Sequence, residues 1–177
     1  MTKLFPRARA EEIGSALDNA GHALRLWLVG QLVSMAAVGL LTGIGLALVG
    51  VPSAVGLGIL AGLLEFIPLV GPVLSAIPGL ALASLQGPEI MLWALVVYVG
   101  VQQVESNLLT PVVEKWAVSL PPAMTLVGVL SMGVLFGPMG VVLAAPLVVT
   151  LVVLVQQLYV RDTLGYEITI SGQKDRP

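Results

Sequence analysis

The sequence predicts an all-α integral membrane protein made of two inverted repeats, each one transmembrane helix plus a Gly/Pro-broken helical hairpin. Three observations point there. The 177-residue chain is 57% hydrophobic and 10% charged, with a mean hydropathy of +1.00, whereas soluble domains carry about 25% charged residues. No Asp, Glu, Lys or Arg occurs from Leu26 to Leu64 or from Trp116 to Val160, and each run exceeds the roughly 20 apolar residues that cross a bilayer. Finally, one Gly/Pro pattern occurs twice. Pro52, Gly58, Leu60, Phe66 and Pro68 recur at a constant offset as Pro122, Gly128, Leu130, Phe136 and Pro138. With a small slip, Gly71, Leu74 and Pro78 then match Gly140, Leu143 and Pro146.

The pattern divides the chain into a cytoplasmic amphipathic helix (1–25), a transmembrane domain (26–161, repeat units about 26–86 and 89–161) and a polar cytoplasmic tail (162–177). Met1 to Pro6 reads as disordered. Arg7 to Arg25 is expected to be amphipathic, with Ile13, Leu17, Ala20 and Leu24 on one face. His22, the only histidine, is expected at the solvated surface. Leu26 to Gly50 is the first span, opened by Trp27 as an interfacial anchor. Gly30, Ser34, Gly39, Gly43 and Gly45 make one side small, which suits close helix packing, and Gln31 is expected to face protein.

Pro52 to Leu85 follows as the first broken segment. Its opening arm, Ser53 to Phe66, is ~21 Å long as a helix, short of the ~30 Å hydrocarbon core. Two short arms make either a re-entrant hairpin or a pair of tilted spans, and sequence leaves both open. Glu89 to Thr110 is the second span, with Trp93 and Tyr98 towards its start and Pro111 expected to stop it. Pro111 to Leu120 reads as a loop with an exposed Glu114–Lys115 pair. Pro121 to Val160 is the second broken segment, interrupted at Gly137 and Pro138. Tyr166 to Ile170 reads as a short strand in the tail.

One span plus one hairpin crosses the membrane an odd number of times. Two such units are therefore inverted and both termini lie on one side. Under that topology all eight Lys and Arg fall on the cytoplasmic side, as the positive-inside rule requires. Inverted repeats with interrupted helices point to secondary transporters whose site lies where the breaks meet.

The candidate pathway residues are Glu65, Gln102, Gln103, Glu105 and Asn107. A charged side chain in the bilayer costs at least ~2.5 kcal/mol on insertion scales and usually faces a bundle interior or wet cavity. Glu65 stands three residues before Pro68, so carboxylate and helix break coincide, as binding of a proton or cation requires. The alternative is a structural hydrogen bond tying the two arms together. Tyr98, Gln102 and Glu105 share one helix face and Gln103 and Asn107 the adjacent stripe. Gln102, Gln103, Glu105 and Asn107 are expected to hold a polar solute or gate a pathway, or else mark a helix end emerging among headgroups. Pro68, Gly71, Pro72, Pro111, Gly137, Pro138 and Gly140 are the expected breaks and hinges. The net charge of −2 predicts no nucleic-acid partner. The chain has no Cys, and no metal cluster, cofactor motif, hydrolytic triad or phosphate loop is visible. A non-enzymatic protein without cofactor or metal is expected.

GQL at Gly30 to Leu32, EFIPLVGP at Glu65 to Pro72, VQQVESNLLTP at Val101 to Pro111, and FGPMG with AAP between Phe136 and Pro146 resemble the autoinducer-2 exporter family, also called PerM-type permeases. The resemblance spans about Phe5 to Arg161. It implies a multi-pass permease of the bacterial inner membrane that forms homo-oligomers in the lipid bilayer. Some members are linked to export of autoinducer-2, a quorum-sensing signal, and others to Na+/H+ antiport. Glu65, Pro68, Gly71, Gln103, Glu105, Asn107 and Pro111 match family motif positions. Full members carry further N-terminal spans, so the resemblance also leaves a short member, a fragment or a non-transporting scaffold open.

Overall fold

The computed structural model describes residues 7–67, 70–114 and 122–155, which are helical except at short turns. The helices are α1 (Arg7–Val49), α2 (Ala54–Leu64), α3 (Val70–Ser84), α4 (Pro88–Val104), α5 (Thr110–Glu114) and α6 (Pro122–Val155), with a π turn, Glu105–Leu109, between α4 and α5. The chain divides into two compact units, one of Gly30–Glu114 and one of the segments flanking it.

One helix of 43 residues, α1, runs from Arg7 to Val49, so the expected amphipathic segment and first span are continuous through Arg25. Polarity changes there, but no cap or proline stops the helix. Its buried stripe is Ala20, Ala23 and Trp27, while Leu17 is exposed. Trp27 is thus buried in protein, where an interfacial anchor was expected, and His22 is half-buried. The end of α1 is a Schellman motif. Gly50 takes φ 87°, its N–H donates to the Ala47 carbonyl at 3.1 Å, and the Val51 N–H donates to the Leu46 carbonyl at 3.0 Å. Leu46 and Val51 are both buried and join Ala54, Leu57, Ala83 and Ala94 in the core of the Gly30–Glu114 unit.

Glycines bring the helices of that unit together. Gly39 and Gly43 on α1 meet Gly58 and Gly62 on α2, each pair spaced by four. A Cβ on Gly58 would stand 2.6 Å from the Gly39 carbonyl and 2.7 Å from the Gly43 Cα; one on Gly62 would stand 2.6 Å from the Met35 carbonyl. Such small-residue crossings let backbones touch where lipid offers no hydrophobic drive to association. Gly45 likewise admits the Val97 side chain of α4. Helix α2 packs on α3, and α3 on α4. Helices α2 and α3 have 11 and 15 residues, roughly 16 and 22 Å at 1.5 Å per residue, so both are shorter than a bilayer core.

Helix α6, in the other unit, is broken at Gly137 (φ 63°, ψ −150°). Its arms lie close: Gly128 is against the Val148 side chain and Gly140 against the Met132 carbonyl. In the first broken segment, Gly71 sits against the Leu64 carbonyl. Each second arm thus begins with a glycine pressed on the backbone of the first. The outer surface is strongly apolar, with Leu48 84% and Val134 86% exposed, as expected of side chains facing lipid rather than water. Residues 1–6, the Lys115 to Leu120 loop with its Glu114–Lys115 pair, Arg161 and the tail with its expected strand lie outside the described residues, as does Pro68.

Gly56 and Gly58 lie two residues apart on α2, but a Cβ on Gly56 meets nothing within 4 Å. Gly58→Ala is expected to lower stability in detergent by about 1–3 kcal/mol through overpacking. Gly56→Ala is expected to leave it unchanged or raise it by up to about 1 kcal/mol through helix propensity. Thermal unfolding followed by circular dichroism compares the two.

Candidate functional site

Helix α2 ends at Glu65 because the chain turns there: Phe66 and Ile67 N–H groups donate to the Leu63 and Leu64 carbonyls, at 3.3 and 2.9 Å. Gly71 enters α3 through its N–H bond to the Ile67 carbonyl at 2.8 Å. Pro72 then falls in the first turn of α3, where a missing N–H leaves no bond unmade. Gln31 of α1 donates its Nε2–H to the Glu65 carbonyl at 2.6 Å. The expectation that Gln31 faces protein thus has a specific form, a side chain that holds the end of α2.

The Glu65 side chain is only 6% exposed, and its Oε2 has no hydrogen-bond partner among the described residues. It lines a cavity of ≈ 380 Å³ with Val38, Thr42, Ser75, Ile77, Tyr98 and Gln102 among its walls. Thr42, Glu65 and Ser75 are the fully buried polar side chains among the described residues, and all three border this one space. Ser75 donates its hydroxyl to the Pro72 carbonyl at 2.9 Å. The Tyr98 ring lies over Gly79 of α3, where a Cβ would meet ring carbons at 2.7 Å, and its hydroxyl oxygen is buried without a partner. Two orphaned polar atoms in one cavity need a partner, since an unsatisfied buried group costs about 1–3 kcal/mol.

Glu105 has a different setting. Its Oε2 accepts from Gln102 Nε2 at 2.8 Å and its Oε1 from the Thr110 hydroxyl at 2.9 Å. Both oxygens are held within its own helical run, across the π turn, and Glu105 reaches the cavity through Gln102. Asn107 donates to the Gln103 carbonyl at 2.8 Å and to Gln103 Oε1 at 3.1 Å, and both side chains are exposed, away from the cavity. Of the five pathway candidates, Glu65 and Gln102 border the space, Glu105 adjoins it, and Gln103 and Asn107 do not.

Pro111 is a correction. The helix does not stop there: the π turn Glu105–Leu109 leads into α5, and Pro111 occupies that helix's first turn. The wide turn resets the hydrogen-bond ladder, so the missing proline N–H falls where none is required. Gly137 marks the break in α6, with Pro138 exposed just after it and Gly140 buried on the Met132 backbone. Sequence reasoning assigned no site role to Thr42, Ser75 or Tyr98. Thr42 is one of two hydroxyl residues, with Ser34, in an apolar span, and Tyr98 stands four residues before Gln102; each was a usable signal.

Comparison with known proteins adds a lineage. Residues 1–160 match the family described as AI-2E family transporter. Relatives named "Putative transport protein" include the following three. YueF of Bacillus subtilis (strain 168) is 31% identical over 144 residues, covering 81% of this chain and 39% of that protein. A protein of Thermotoga maritima is 35% identical over 123 residues, 69% of this chain and 38% of its own length. MT0215 of Mycobacterium tuberculosis (strain CDC 1551 / Oshkosh) is 35% identical over 154 residues, 84% of this chain and 41% of its own. The chain thus spans about two fifths of the relatives it matches.

Glu65→Gln replaces a buried carboxyl whose Oε2 has no partner among the described residues with a neutral amide of the same shape. It is expected to raise the unfolding midpoint of the detergent-solubilised protein at neutral pH by several degrees, on the order of 1–3 kcal/mol. A lower midpoint would show that the carboxylate has a stabilising partner.

Proposed function

The chain belongs to the AI-2E transporter family, and from that premise we propose that it is part of a secondary permease moving a small polar solute through the Glu65 cavity. The observation that carries this is the gathering of Thr42, Glu65 and Ser75, with unpartnered oxygens on Glu65 and Tyr98, around one space in an otherwise apolar unit. A buried ionisable group inside a membrane bundle is a functional site by default. Gln102 carries the polar lining towards Glu105 and the π turn, an element often found at functional sites. Autoinducer-2 is the solute the resemblance implies and the first to assay. On this reading the protein sits in the bacterial inner membrane as a homo-oligomer with both termini cytoplasmic. Its two broken segments are inverted repeats, a reading supported by the constant offset and by the paired contacts of Gly71 and Gly140.

A second reading, cation/proton antiport, is favoured by one feature: Gly30 to Glu114 contains no Lys, Arg or His to balance Glu65. Proton or Na+ exchange at the carboxylate would meet that need.

Efflux from vesicles tests both. Autoinducer-2 or another solute is expected to leave wild-type vesicles, with Glu65→Gln reducing the rate by tenfold or more, on the order of one lost charged hydrogen bond. Unchanged efflux in that variant would remove Glu65 from the pathway. Sodium-driven proton movement without solute efflux selects the antiporter. Partner binding with neither leaves a scaffold.

A further inference from the structure

The balance of charge around the cavity narrows what fills it. The acidic residues of the Gly30–Glu114 unit are Glu65, Glu89, Glu105 and Glu114, with no basic residue; the Glu114 side chain lies outside the described residues. Glu89 is exposed in the first turn of α4. Both Glu105 oxygens are already taken by Gln102 and Thr110. Glu65 Oε2 is therefore the one carboxylate oxygen buried in the unit without a partner among the described residues. An unpaired buried carboxylate is strongly unfavourable unless a positive group or a proton reaches it. The cavity, ≈ 380 Å³, falls in the range of small-molecule sites, roughly 300–1,000 Å³.

We propose that this cavity binds a small organic cation of the alkylammonium class, its N–H groups donating to Glu65 Oε2 and Tyr98 Oη. Its hydrocarbon part lies against Val38, Ile77 and Val99, which line the same space. The proposal rests on the cavity being the solute site and names a class of solute for it. An anion would meet a carboxylate and no positive side chain. A bare divalent cation takes six or more oxygens, whereas these walls are mainly hydrocarbon, and no group of three His, Cys, Asp or Glu occurs among the described residues.

Calorimetric titration of the full chain in detergent, with n-butylammonium, 1-butanol, butyrate and Na+ as probes, tests this. Butylammonium is expected to bind about tenfold or more tightly than butanol, the scale of a charge-assisted hydrogen bond, with butyrate not binding. Glu65→Gln is expected to abolish the preference, Tyr98→Phe to weaken butylammonium about fivefold, and Glu89→Gln to change nothing. Equal binding of butylammonium and butanol, binding of Na+ but not butylammonium, or no binding of either would overturn the proposal. The wild-type comparison needs no variant to fold. Solute efflux from vesicles separates the two readings: efflux that persists without butylammonium binding refutes the organic cation alone, and loss of both removes the cavity as the solute site.

Discussion

The contact on which the Gly30–Glu114 unit depends is the touch of two bare backbones. Gly39 and Gly43 meet Gly58 and Gly62 so closely that a Cβ on Gly58 or Gly62 would stand 2.6 Å from a carbonyl oxygen of α1. In lipid this is how helices hold one another, because surrounding hydrocarbon is as apolar as leucine and packing must supply the attraction. Drawing α2 onto α1 brings the end of α2 within reach of Gln31. The break after Leu64 is thereby held by a side chain of another helix, at 2.6 Å from the Glu65 carbonyl. The position of the carboxylate is a downstream result of the glycines.

The same economy shapes the cavity. Gly79 leaves room for the Tyr98 ring, and Gly45 for Val97, so α4 lies close to α3 and α1. Polar groups that elsewhere in the span would be a liability are then collected: a threonine from α1, a glutamate from the end of α2, a serine from α3 and a tyrosine and glutamine from α4. Each helix contributes one or two such groups and otherwise presents hydrocarbon. Function on this scaffold is a matter of where four apolar helices agree to be polar.

Much of this was legible in the sequence. Two charge-free runs announced a membrane protein, and the glycines of the first span announced close packing. Glu65 stood out because a carboxylate in such a run requires a reason. What was not legible depended on tertiary contact. That α1 runs unbroken through Arg25 was not legible, because a change of polarity does not say whether a helix continues. Gln103 and Asn107 were read on a stripe beside that of Gln102, but which stripe faces the cavity is not set until the neighbouring helices are placed. Pro111 looked like a stop because a π turn has no sequence signature, and the turn is what makes that proline harmless. Thr42 and Ser75 are ordinary hydroxyls until the fold puts them around one space.

That π turn has a consequence for the register of the helix. A π turn amounts to one residue more than an α-helix would use over the same path. Upstream of it, the faces of α4 are committed to the cavity; downstream, α5 starts its count afresh. A residue inserted there leaves the upstream register intact, so α4 and the polar end of this element keep separate registers.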